Sequence, residues 1–153
     1  MPVEIEIEGL AEALDRFAQG DVNVGKAMIR ATRRSVALLR RKLARYPGKS
    51  TGHIEFKSDK QRRFFWAALR EGKIQIPYRR SGTLGRRWHT KVDATTADVV
   101  GIVGNLTPYA PFVQGAGKQA TIHQGNWQTE QDVARDAANE INGYFADEIA
   151  AFL

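Results

Sequence analysis

The sequence contains no cysteine, which removes disulfides, thiolate nucleophiles and cysteine-rich zinc sites in one step. It has only three histidines, His53, His89 and His123. They lie far apart, and none falls in the H-x-x-x-H or H-E-x-x-H spacing that sets two ligands on one helical face. A site assembled by folding stays open, but three ordinary loop or strand histidines are the simpler reading. No run of about 18 apolar residues spans a bilayer. The first residues, MPVEIEIEGL, lack the basic start and apolar stretch of a signal peptide, so a cytosolic chain without a membrane partner is expected.

Familiar catalytic signatures are missing as well. The segment GAGK at 115–118 suggests a phosphate-binding loop, which needs G-x-x-x-x-G-K-[ST] so that the first glycine can curl around the phosphates and the last hydroxyl can hold magnesium. Here Phe112 stands at the first glycine position and Gln119 follows Lys118. Ser81 sits in R-S-G-T, without the G-x-S-x-G elbow that exposes a nucleophile. Paired carboxylates are not readable. The expectation is a protein that is not an enzyme, with no catalytic residue, cofactor or metal.

What is present is 153 residues, 42% hydrophobic and 26% charged, about the length of one globular domain with a modest core. The net charge of +6 hides a segregation along the chain. Residues 26–91 carry 20 Lys or Arg against Glu55, Asp59 and Glu71, a net +17, whereas residues 1–25 carry −5 and residues 92–153 carry −6. Three arrangements use such blocks: a polyanion partner, self-complementary surfaces in an oligomer, or internal pairing of the terminal helix with the basic one.

Periodicity predicts the elements. Val3, Ile5 and Ile7 alternate with Glu4, Glu6 and Glu8 as in a half-buried strand that Gly9 ends, and a short helix follows from Leu10 to Phe17. Asp21 is placed to cap a long helix reaching about Arg45, with Val24, Met28, Ala31, Val36, Leu39 and Leu43 at helical spacing and Pro47 and Gly48 beyond its end. Tyr46 to Lys57 reads as an exposed, mobile loop. Ser58 to Gln61 matches a capping box opening a helix from Asp59 to Glu71, with Phe64, Phe65, Ala68 and Leu69 facing inward and Gly72 as its stop. Two strands, Arg87 to Ala94 and Asp98 to Asn105, form a hairpin. Thr129 and Asp132 stand in capping-box spacing before a last helix with Val133, Ala137, Ile141, Tyr144, Phe145, Ile149 and Phe152 as its apolar stripe. The order predicts an α+β fold, a single domain over 1–153 in which a small antiparallel sheet packs against a long basic helix and a C-terminal helix.

Three stretches carry a resemblance: KQRRFFWAALREGKIQIPYRRSGTLGRRW at 60–88, VVGIVGN at 99–105, and YAPFVQG at 109–115 followed by HQGNWQT at 123–129. Together they resemble the tail-completion (head-tail joining, minor tail) proteins of long-tailed phages and prophages. That family has a basic R-[TS]-G-x-L segment before a strand hairpin, matched by Arg80, Ser81, Gly82 and Leu84. It also has a Y-A-x-[YF]-[VL] strand with a glycine turn before the last helix, matched by Tyr109, Ala110, Phe112, Val113 and Gly115. The chain departs after the second motif, where Gln114, Gly115 and Ala116 replace an acidic residue and Gly-Thr.

The resemblance implies a structural subunit without catalysis. It would ring with copies of itself, join the tail tube to the head-connector proteins, make a passing contact with DNA, and reside in the virion after assembly in host cytoplasm. The residues agree in kind: the amides of Gln114, Gln119, Gln124, Asn126 and Gln128 surround Trp127, as adaptable polar groups surround an aromatic anchor in protein interfaces. The expected interface residues are Arg33, Arg34, Arg40, Arg41, Arg80, Tyr109, Phe112, Lys118 and Trp127. The competing reading of Trp127 is a cover for the start of the last helix. The alternative function is nucleic-acid binding through Arg33, Arg34, Arg40, Arg41, Lys42, Arg62 and Arg63 with Phe64, Phe65 and Trp66 as stacking rings.

Overall fold

In the computed structural model the described residues are 15–19, 21–48, 56–74, 81–95 and 98–151. The first long element is helix α1, Val22–Leu43. Asp21 starts it as its pattern predicts: Oδ1 accepts from the amides of Asn23 at 2.9 Å and Val24 at 3.2 Å, satisfying two of the donors that a helix start leaves free. These backbone bonds hold the Asp21 carboxyl below the usual carboxylate range. Arg40, Arg41 and Lys42 crowd the last turn, where cations complement the helix dipole.

The partner of α1 is the final helix, Glu130–Ala150, here α5. Thr129 and Asp132 form the predicted capping box, each side chain bonding the other residue's backbone. The two helices run antiparallel, since Arg30 meets Glu148 at one end and Leu43 packs with Val133 at the other. Their seam holds three clusters in succession. Phe17, Val24, Met28 and Ile149 form the first, Leu38, Ala137 and Ile141 the second, and Leu43, Trp88 and Val133 the third. Ala31 and Ala137 are wholly buried, so small side chains let the backbones approach.

Strands β1, Trp88–Ala94, and β2, Val99–Asn105, pair antiparallel with Val92 opposite Gly101 and Trp88 opposite Asn105. Alternation sends Trp88 and Val103 into the third cluster and Val99 against the first. Lys91 and Ile102 face outward as a cross-strand pair. Gly101 fixes how closely the hairpin lies on α1. A Cβ there would sit 2.6 Å from Val36 Cγ1 and 2.8 Å from Thr32 Cγ2. The α+β fold, with its small sheet against the long basic helix and the C-terminal helix, is therefore as expected.

Several local expectations need correction. The helix from Asp59 ends at Arg70 (α2, Asp59–Arg70), and it buries Phe65 and Ala68 but exposes Phe64, which lies off the inward face. Ser58 accepts from the Gln61 amide, yet the Gln61 side chain reaches past Ser58 to the amide of Lys57 at 2.9 Å. A four-residue helix, α3, Thr83–Arg86, stands in the turn-rich basic connection, preceded by Gly82 at φ 73, a left-handed position suited to glycine. The Y-A-P-F-V segment is not a strand but a short helix, α4, Ala110–Gln114. Pro111 in its first turn has its φ already set and no amide to leave unpaired. The proposed strand at 3–7, most of the helix from Leu10, Phe152 and positions 49–55 of the proposed mobile loop lie outside the described residues, as does Arg80. The described ends of that loop are held: the Tyr46 hydroxyl accepts from the Gly85 amide at 3.0 Å, and the Phe56 ring lies 5.2 Å from that of Phe65.

The substitution Gly101→Ala tests the hairpin seat. It should destabilise the fold by about 1–3 kcal/mol through overpacking against two branched side chains, read from chemical denaturation. An unchanged midpoint would mean the hairpin does not sit tightly on α1.

Candidate assembly surface

The two motif segments meet. Leu84 of α3 packs with Ala110 and Val113 of α4 in one buried cluster, and Tyr46 and Trp127 close over it. Asn105, at the end of β2, ties the parts together: its Nδ2 donates to the Leu84 carbonyl at 2.8 Å while its Oδ1 accepts from the amide and hydroxyl of Thr107. Gly85 allows the Tyr46 ring to approach, since a Cβ there would lie 2.8 Å from it.

The amide-rich loop is engaged mostly within the chain. Gln114 is buried and its Nε2 donates to the Leu43 carbonyl at 3.2 Å, covering an acceptor left free at the end of α1. Gln119 Nε2 donates to the carbonyls of Val113 at 2.8 Å and Trp127 at 2.9 Å. Gln124 donates to the Gln119 carbonyl and Gln128 to Asp136. The GAGK turn does hold an anion, but it is the chain's own: the Ala116 amide donates to both carboxylate oxygens of Glu130, at 2.9 and 3.1 Å. Lys118 is exposed beside that turn.

Trp127 is half-buried, its ring 5.1 Å from that of Tyr46 and 6.4 Å from His123. It is therefore a cover over the α3–α4 cluster rather than a protruding anchor. What protrudes is the opposite side of the same segment. Leu106, Tyr109 and Phe112 are 65%, 45% and 54% exposed, spaced three residues apart, while Ala110, Val113 and Gln114 between and beyond them are buried. Leu106 escapes a sequence reading focused on the aromatic motif, although its spacing of three from Tyr109 and six from Phe112 is the available signal.

The basic residues of α1 divide. Arg30 Nε bonds Glu148 at 2.8 Å, and Arg34 lies 3.6 Å from Glu148, 4.0 Å from Asp147 and 4.2 Å above the Tyr144 ring. Arg41 and Lys42 approach Glu140 at 4.0 and 3.9 Å. Internal pairing is thus one of the uses of the segregated charge, and Arg34 in particular is held within the chain. Arg33 and Arg40 are exposed and form no ion pair among the described residues. Arg33, Arg34, Arg40 and Arg41 lie along α1, whereas Tyr109 and Phe112 lie at the separate helix α4.

Among the described residues, no group of three or more His, Asp or Glu could hold a metal ion, and no helix is long and apolar enough to cross a membrane. Comparison with known protein families, curated proteins and solved structures finds no match for this chain.

Two outcomes follow from this geometry. Gln119→Ala strips donors from two part-buried carbonyls and should cost about 2 kcal/mol of stability, whereas an amide serving only a partner would leave the denaturation midpoint in place. Burial pushes the His123 imidazole below its ordinary range near 6.5. The unfolded chain then takes up a proton at a higher pH than the folded one, so this contribution to stability is complete above 6.5 and fades as pH falls toward the folded value. His123→Gln should flatten that slope; an unaltered pH profile of unfolding would contradict it.

Proposed function

We propose that the chain is a structural subunit of a phage or prophage tail, one that rings with copies of itself, completes the tail and joins it to the head connector. The observation that carries the reading is the segment from Leu106 to Gln114. Its inner side is locked to the body through Ala110, Val113 and Gln114, and its outer side presents three large apolar residues. Rigid presentation of apolar anchors lowers the ordering cost of association, and aromatic side chains are the most effective anchors at interfaces. The resemblance supplies the rest, since Ser81, Gly82, Leu84, Tyr109, Ala110, Phe112 and Val113 belong to its two motifs. In this reading Tyr109 and Phe112, with Leu106, face the tail tube or connector.

The second reading, a basic nucleic-acid-binding protein, is favoured by one specific observation. Helix α2 exposes Phe64 and Trp66 among Lys60, Arg62 and Arg63, and exposed rings beside cations can stack on bases while contacting phosphates.

Light scattering across protein concentration and salt, with a parallel run containing short duplex and single-stranded DNA, separates the two. The tail reading expects a discrete ring mass that DNA does not change. Stoichiometric, salt-sensitive DNA binding by a monomer or dimer would replace it with the second reading. Tyr109→Ser and Phe112→Ser should each shift stability by no more than about 0.5 kcal/mol, as substitutions at exposed sites do; losses several times larger would place these rings in the fold instead of at a joint.

A further inference from the structure

Helix α2 presents a face unlike that of an ordinary solvated helix. Arg63, Trp66 and Arg70 lie at i, i+3 and i+7, the spacing that aligns side chains along one side. All three are exposed, Trp66 at 46%; its ring also meets that of the buried Phe65 edge-on at 5.4 Å, while Ala68 is buried on the far side of the helix. Neither arginine forms an ion pair among the described residues; Arg63 reaches only the Asp59 carbonyl, at 3.4 Å. Phe64 points away from this face.

Helix α5 carries a matching face of opposite sign. Glu140, Gly143 and Asp147 repeat the same i, i+3, i+7 spacing, and Asp136 extends the row one turn earlier. Nothing lies within 4 Å of the place a Gly143 Cβ would occupy, so the helix surface there is open. The Glu140 and Asp147 side chains are 44% and 71% exposed, and their approaches to Arg34, Arg41 and Lys42 of α1 are long, at 3.9–4.0 Å. Glu140 Oε1 also accepts from the Tyr144 hydroxyl at 2.6 Å, so Glu140 keeps acceptor capacity mainly at Oε2, and Asp147 is the freer of the two carboxylates.

We infer that the face Arg63–Trp66–Arg70 of one copy docks on the face Glu140–Gly143–Asp147 of a second copy. Side by side and parallel, the helices set Trp66 over the gap at Gly143 and each arginine beside a carboxylate. The two surfaces are different, so the contact is heterologous, the kind that propagates from copy to copy and closes into a ring when its rotation allows. Charge complementarity fixes partner and register, whereas exposed ion pairs contribute little apiece. Trp66 is thus the main source of binding energy. The inference rests on the ring reading and names the surfaces that build it. A nucleic acid would use the same cations but would have no need of the α5 face.

Sedimentation velocity on the full chain tests this with three variants: Trp66→Ala, Gly143→Gln and Arg63→Glu/Arg70→Glu. Gly143→Gln places a side chain where Trp66 would sit and replaces a glycine inside a helix, so the monomer should fold at least as well, as circular dichroism would verify. Each variant should raise the concentration needed for assembly at least about tenfold, the loss expected for one interfacial anchor. Phe64→Ala, which removes a comparable ring from another side, should leave it unchanged. If the native chain forms a ring and Trp66→Ala and Gly143→Gln form it equally well, the contact lies elsewhere while the ring reading stands. A native chain that stays monomeric at every concentration overturns both. Loss of DNA binding in the arginine variant, with no change of mass in Gly143→Gln, assigns the α2 face to nucleic acid.

Discussion

The rest of the structure depends on the antiparallel contact between α1 and α5. Apolar residues spaced at three and four along both helices bury one seam, with Ala31 and Ala137 setting how close the axes come and Val133 filling its upper end. The same contact brings a basic helix beside an acidic one, so Arg30 and Arg34 meet Glu148 with little exposure of the carboxylate. Exposed pairs of this kind add fractions of a kcal/mol; burial of the seam, at roughly 1.5–3 kcal/mol for each large side chain, is the stronger term. The hairpin lies across α1 with Trp88 and Val103 in the third cluster, Val99 against the first, and Gly101 in close fit with Thr32 and Val36.

Much of this framework is legible in the sequence because it rests on local rules. Asp21, Ser58 and Thr129 cap the helices they precede, the hairpin has its strands within a residue of the expected ends, and the stripes of α1 and α5 name the core. Where reading fails, tertiary context decides. Phe64 and Phe65 are indistinguishable in composition, and only the docking of α2 buries one and exposes the other. The resemblance implies a strand at the Y-A-P-F-V motif, yet Pro111 and the burial of Ala110 and Val113 against Leu84 favour the helical turn Ala110–Gln114.

The candidate surface was less legible for a related reason. Amides and a tryptophan in a loop describe an interface and a well-tied internal loop equally well, and only hydrogen-bond partners distinguish them. Gln114, Gln119 and Trp127 serve the fold, whereas Leu106, Tyr109 and Phe112 on the far side of the same segment remain uncovered. Charge follows the same pattern. Arg34 is held by Tyr144, Asp147 and Glu148, while Arg63 and Arg70 on α2 face solvent beside an exposed indole. A chain that satisfies its main helix pair internally and leaves apolar rings on two other elements has separated its folding contacts from its exposed apolar surface.

Hydrogen exchange read by mass spectrometry, on dilute chain and on the concentrated assembly, addresses that separation most directly, because local opening reports which backbone segments gain protection. The account predicts that the α1–α5 seam is strongly protected in both states, and that residues 59–70 are the segment that gains protection on assembly. Protection gained instead along the outer face of α1 around Arg33 and Arg40, or a seam that exchanges freely in the dilute chain, would contradict it.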